Sequence, residues 1–152
     1  MSNEGNFENN VIPTVNWAER QVYKYNDATI DQVITEKKPG NYLLFSGGSV
    51  KYIGRSDGDL ATELKSKRYA PHIKQTTRES FDSFKFCYAR NARTAYRREC
   101  KDYHTYLDQD IANKEHPCCP EGDRYQYCPY DGCEKYNFSG EAAEVMYGET
   151  MN

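Results

Sequence analysis

Apolar positions along this chain fall into short blocks whose period changes. Gly40-Asn41-Tyr42-Leu43-Leu44-Phe45 and Val50-Lys51-Tyr52-Ile53-Gly54 are β-rich runs joined by Ser46-Gly47-Gly48-Ser49. Aromatic and branched side chains suit the pleated surface of a strand, and Gly-Gly accepts the positive φ angles of a tight turn, so the pattern predicts a hairpin. In Phe81 to Tyr88 the residues Phe84, Phe86 and Tyr88 alternate, predicting a third, half-buried strand that completes a small antiparallel sheet. Elsewhere the spacing is helical. Ile30, Val33 and Ile34 place a helix over Asn26 to Lys38, stopped by Pro39-Gly40, and Leu60 and Leu64 place a short one over Asp59 to Arg68. Tyr96, Cys100, Tyr103 and Leu107, at spacings of four, three and four, mark a longer helix over Thr94 to Leu107. Trp17 and Tyr23, in the irregular lead-in, read as packing residues.

These elements predict an α/β fold, a small three-stranded antiparallel sheet flanked by helices. The 152 residues suffice for one domain with a real core. Residues 1–38 form a lead-in and helix, 39–116 the main domain, 117–138 a cysteine-containing extension and 139–152 an acidic tail expected to be disordered. No apolar stretch approaches the roughly 20 residues of a membrane helix, and the first residues lack a signal peptide's basic and apolar regions. A cytoplasmic protein with no membrane partner is the expectation. Neither a nucleophile-elbow pattern nor a cysteine flanked like an activated thiolate is present, so serine-hydrolase and cysteine-protease chemistry is set aside.

Charge is segregated. Residues 51–101 hold 13 Lys or Arg against 6 Asp or Glu, and residues 102–152 hold 3 against 11. A basic stretch directly after the hairpin suits a polyanion such as nucleic acid, since neutralised phosphates release counterions. It equally suits a solvated surface balanced by the acidic half.

Glu99, on the long helix, lies one turn from both Ala95 and Tyr103, at the edge of the buried stripe. A carboxylate there either faces a cleft or lies under a partner, with Arg93 and Lys101 the near candidates. Gly40 and Tyr42 of the first run, all of Tyr52-Ile53-Gly54, Glu99, and Asn113 in Asn113-Lys114-Glu115-His116-Pro117 follow one another in an order that resembles the GIY-YIG nuclease family. The likeness covers roughly residues 38–135, and the Asn-Lys-x-His-Pro segment ending in a cysteine pair is similar to that family's small bacterial branch. The resemblance implies a metal-dependent DNA endonuclease. Tyr42 and Tyr52 would line the cleft, one of them assisting deprotonation of the attacking water; Glu99 would hold Mg²⁺ or Mn²⁺; Asn113 would order the site. The chain departs from the pattern at Glu63, which stands where the family carries a phosphate-holding arginine, with Lys67 one turn later. Arg55, Lys67 and Arg68 are the candidates to bind phosphate in its place. The alternatives are a DNA-binding protein on the same scaffold without cleavage, and a protein-interaction module whose partner binds the acidic tail and cysteine region.

The six cysteines lack an export context, and Cys118-Cys119 are adjacent, which favours thiols or a metal over disulfides. His116, Cys118, Cys119, Cys128 and Cys133 lie within 18 residues, and Cys128 to Cys133 forms a knuckle-like C-x4-C loop. Structural Zn²⁺ takes four N or S ligands as two close pairs, so this set is a candidate zinc site beside reduced thiols in a packed subdomain. Cys87 and Cys100 read as inert core thiols, and His104 as a helix histidine.

Overall fold

The computed structural model describes residues 14–67, 81–113, 115–120, 128–130 and 133. After a 3-10 turn at Trp17–Glu19, the chain forms β1 (Tyr23–Lys24), α1 (Asp27–Val33), β2 (Gly40–Ser46), β3 (Ser49–Ser56), α2 (Leu60–Lys67), β4 (Ser83–Tyr88) and α3 (Ala92–Tyr106). The sheet is antiparallel, in the order β1-β4-β2-β3. It therefore has four strands where three were expected. The added strand pairs Tyr23 with Phe84 and Lys24 with Ser83, and the Tyr23 and Phe84 rings lie 5.6 Å apart. Two residues are too few to show an alternating pattern.

The hairpin turns at Gly47 and Gly48, whose φ angles of +58° and +86° are open to glycine without steric cost. Between the Leu44–Tyr52 and Phe45–Val50 pairs the register shifts, leaving Lys51 as an extra residue in β3. Asp82 buttresses the turn from β4's start, accepting from the Gly47 N–H at 2.8 Å.

Side chains cap the helices. Asn26 accepts from Thr29 N at 2.7 Å to begin α1, and Asn91 accepts from Thr94 N at 2.8 Å to begin α3. Asp59 does the same for α2 through Thr62. α1 stops at Val33, well short of Lys38, because Ile34 is extended with its side chain in the core and the Tyr88 hydroxyl accepts from both Thr35 N and Glu36 N, at 3.0 and 3.1 Å.

β2 is central and buried on both faces, which is why its apolar run is nearly continuous. Tyr42, Leu44, Tyr52 and Phe84 face α1 and α2 and pack with Ile30, Ile34, Leu60 and Leu64. Leu43, Ile53 and Cys87 face the other way, with Trp17, Ile111 and the α3 residues Tyr103 and Tyr106. Removing each large apolar side chain from water is worth about 1.5–3 kcal/mol. Trp17 anchors the lead-in to α3 by donating from Nε1 to Asp102 Oδ2 at 3.1 Å. Burial pushes Asp102 up to about 7, and this hydrogen bond pulls the other way.

Beyond α3 the chain returns along the outer border of β3. Ala112 N donates to Lys51 O at 2.5 Å. The Asn113 side chain takes both backbone groups of Ile53, accepting from its N–H at 2.9 Å and donating to its carbonyl at 2.7 Å. Among the described residues, no helix is long and apolar enough to cross a membrane. The acidic tail, most of the cysteine-containing extension and the 68–80 part of the basic stretch lie outside the described residues.

Candidate functional site

Tyr42 on β2 stands opposite Gly54 on β3. A Cβ at Gly54 would collide with the Tyr42 ring and hydroxyl, so glycine is required for the ring to lie across β3. Tyr52, two residues back on the same face, stacks with Tyr42 at 6.3 Å between ring centres. Arg55 alternates to the opposite face, where α3 runs. There its Nη1 donates to Glu99 Oε1 at 2.7 Å, its Nε to Asp57 Oδ1 at 2.6 Å and its Nη2 to Asp57 Oδ2 at 3.3 Å. The guanidinium also lies 5.2 Å from the Tyr96 ring centre.

Residues from both faces thus meet at the end of β3 around a cavity of about 330 Å³, lined by Tyr42, Tyr52, Gly54, Arg55, Asp57, Glu63, Glu99, Pro117 and Cys118. Glu63 enters from α2, and its Oε2 accepts from the Tyr42 hydroxyl at 3.4 Å. Three carboxylates face one guanidinium, leaving a formal excess of two negative charges.

Burial sets the acid-base character of this cavity. It raises Tyr42 well above the ordinary phenol range, with the Tyr52 and Glu63 charges adding to the effect. It raises Tyr52 too, reinforced by Glu99 and Glu63, so both hydroxyls stay protonated and can donate. Burial also raises Glu99, against the pull of Arg55. Arg55 itself is disfavoured by burial, but the Glu99 and Asp57 carboxylates overcome this and hold its charge more firmly than usual.

Of the residues singled out from sequence, Tyr42, Tyr52, Glu99, Arg55 and Glu63 come together here. Asn113 does not line the cavity; it clips the returning chain to β3, and Pro117 and Cys118 follow as a wall. Arg68 lies outside the described residues. The cation that reaches Glu99 is Arg55, which comes from the sheet, where Arg93 and Lys101 of its own helix were the expected candidates. Asp57 was not singled out; its place two residues after Arg55, where β3 ends, was the available signal.

A second group gathers at the C-terminal half of α3. Ligand atoms of His104, His116, Cys128 and Cys133 all lie within 4.8 Å of one another, and this set could hold a metal such as Zn²⁺. It differs from the set expected from sequence. Cys118 is exposed and lines the cavity, and Cys119 is partly buried against the cluster that holds Cys128 and Cys133 without belonging to the group, while His104 enters from α3. Spacing along the chain favoured the adjacent cysteines and missed a histidine that a helix delivers from twelve residues away. Cys100, one turn before His104, is fully buried against Cys128. Its hydrogen bond holds the Cys128 thiol below the ordinary range, and burial pushes Cys100 itself up.

Comparison with known proteins finds no matching family model, no matching characterised protein and no matching solved structure.

Proposed function

We propose that the cavity at the end of β3 is a GIY-YIG-type site that, with a divalent cation, hydrolyses phosphodiester bonds in DNA. One observation supports this most: Tyr42, Tyr52 and Glu99, far apart in sequence and each quoted for the resemblance, line the same cavity. The donor set fits Mg²⁺ or Mn²⁺ in type and charge, since Glu99 and Glu63 offer hard oxygens and the cavity carries excess negative charge. Glu99 would hold the ion, which when bound supplies positive charge to a phosphoryl oxygen.

The remaining roles belong to the chain itself. Arg55 presents a planar fork that matches two phosphate oxygens, and it stands in for the arginine missing at Glu63. Moving from Glu99 to a phosphate would release Glu99 Oε1. The Tyr42 and Tyr52 hydroxyls, being protonated, orient a phosphate oxygen or the attacking water as donors. Tyr42 Oη can accept a proton from that water while passing its own to Glu63 Oε2, to which it is already hydrogen-bonded.

A second reading, DNA binding without cleavage, is favoured by Glu63 itself. Its carboxylate repels a phosphate, and losing one preorganised donor costs about 10²–10³ in rate. The test is incubation of the protein with plasmid and branched DNA in Mg²⁺, Mn²⁺ or EDTA, beside Glu99→Gln. Metal-dependent cleavage abolished by the substitution supports the nuclease. Salt-sensitive binding without products supports the second reading, and absence of both overturns each and leaves a protein partner as the alternative.

A further inference from the structure

We propose that His104, His116, Cys128 and Cys133 form a closed tetrahedral Zn²⁺ site that fastens the C-terminal segment to α3 and thereby sets one wall of the cavity. The distances carry this first. His104 Nε2 and His116 Nε2 are 3.2 Å apart, and His116 Nε2 and Cys133 Sγ are 3.5 Å apart. A tetrahedron with Zn–N of about 2.0–2.1 Å and Zn–S of about 2.3 Å has edges of about 3.3 Å between nitrogens and about 3.5 Å between nitrogen and sulfur. Both spacings match a common centre.

Proton placement points the same way. His116 Nδ1 lies 2.8 Å from the Pro117 carbonyl, which can only accept, so Nδ1 carries the hydrogen and Nε2 presents its lone pair to the cluster. A metal-ligating histidine ordinarily has this outer hydrogen bond to a carbonyl or carboxylate. Cys128 Sγ accepts from the Tyr130 N–H at 3.4 Å, and Cys133 N donates to Tyr130 O at 3.2 Å, so the Tyr130 backbone is bonded to both cysteines. Both cysteines are buried thiols, not a disulfide.

The surroundings are tight and aromatic. Tyr130 stacks on His104 at 4.3 Å with an interplanar angle of 9°, and Tyr103 meets His116 edge-on at 5.2 Å. With four protein ligands and rings against both histidines, the site has no open position and is structural, not catalytic. His104 lies on the helix that carries Glu99, and His116 directly precedes Pro117 and Cys118 of the cavity wall. The site does not depend on the nuclease assignment, and its test uses no DNA.

The experiment is zinc analysis by mass spectrometry on full-length protein purified without chelators. About one zinc per chain is expected in the wild type and in a Cys118→Ser/Cys119→Ser double variant, with loss of at least about tenfold in His104→Ala and Cys133→Ser. His104→Cys separates ligand loss from misfolding, since a thiolate there restores a four-ligand set and should retain the metal. Cobalt exchanged into the wild type should give the visible absorption of a tetrahedral two-thiolate centre. A zinc-free wild type, a Cys128–Cys133 disulfide in the unreduced protein, metal retained in both His104→Ala and Cys133→Ser, or metal lost only in the Cys118/Cys119 variant would each overturn the assignment.

Discussion

Arg55 Nη1 donates to Glu99 Oε1 at 2.7 Å across 44 residues, tying the end of β3 to the middle of α3. Both side chains are nearly buried, at 12% and 11% exposure. The pair that faces the cavity is therefore also a structural brace, and two properties of the protein rest on the same atoms.

Breaking that brace from one side strands a buried charge, which costs about 3–5 kcal/mol, whereas replacing both partners with apolar side chains is often close to neutral. Arg55→Met should lower unfolding free energy by about 3 kcal/mol, and Arg55→Met/Glu99→Met should recover most of that loss. Urea denaturation of the wild type, both single variants and the double variant gives the coupling directly. Additive single effects would show that the two groups do not stabilise one another.

Glu63→Arg tests whether Arg55 is an adequate substitute. Reversing one charge cancels the cavity's formal excess of two, so DNA affinity in EDTA should rise and its salt dependence steepen. Cleavage in Mg²⁺ should fall if Arg55 already supplies the guanidinium, because the substitution then adds nothing at the phosphate and removes the carboxylate that takes the Tyr42 proton. A rise of several orders of magnitude would identify Arg55 as a poor replacement.

Gly54 and Gly58 make a matched comparison. At Gly54 a methyl group meets the buried Tyr42 ring, while at Gly58 nothing lies within 4 Å. Gly54→Ala should cost about 1–3 kcal/mol through overpacking and displace Tyr42 from Glu63. Gly58→Ala should stay within about 0.5 kcal/mol of the wild type. Thermal denaturation of the two variants decides it.

Asp82 gives the hairpin a small acid-sensitive contribution. The backbone hydrogen bond from Gly47, then that from the Ser83 hydroxyl, hold its carboxyl below the ordinary range. A lowered folded-state value stabilises above the unfolded pKa of about 4 and is lost as pH falls through the folded value. The group is exposed, so the effect should stay under about 1 kcal/mol. Wild type and Asp82→Asn should differ in midpoint at pH 6 and draw together as pH falls below the unfolded value of about 4, as read by denaturant titration.

Local pattern made the hairpin, the β4 alternation and the cores of three helices legible, because each is written in neighbouring residues. β1 was not, since two residues pair only where β4 offers an edge. The end of α1 was missed for a similar reason: nothing near Ile34 in sequence announces that the Tyr88 hydroxyl, from a distant strand, will take the next two N–H groups. At the site, Tyr42 and Tyr52 follow from the hairpin itself. The Arg55–Glu99 pairing required knowing which face of β3 meets α3, and the approach of His104 to His116 required knowing how the chain returns beyond α3.

That return has a consequence for how this molecule meets its own copies. By occupying the N–H and C=O of Ile53 with one side-chain amide, Asn113 imitates a single rung of a neighbouring strand. The opposite border is β1, only two residues long. Among the described residues, the border of β3 thus has the Lys51 carbonyl and both Ile53 groups already taken, which denies another chain a continuous ladder along that side of a sheet built around a nearly unbroken apolar strand.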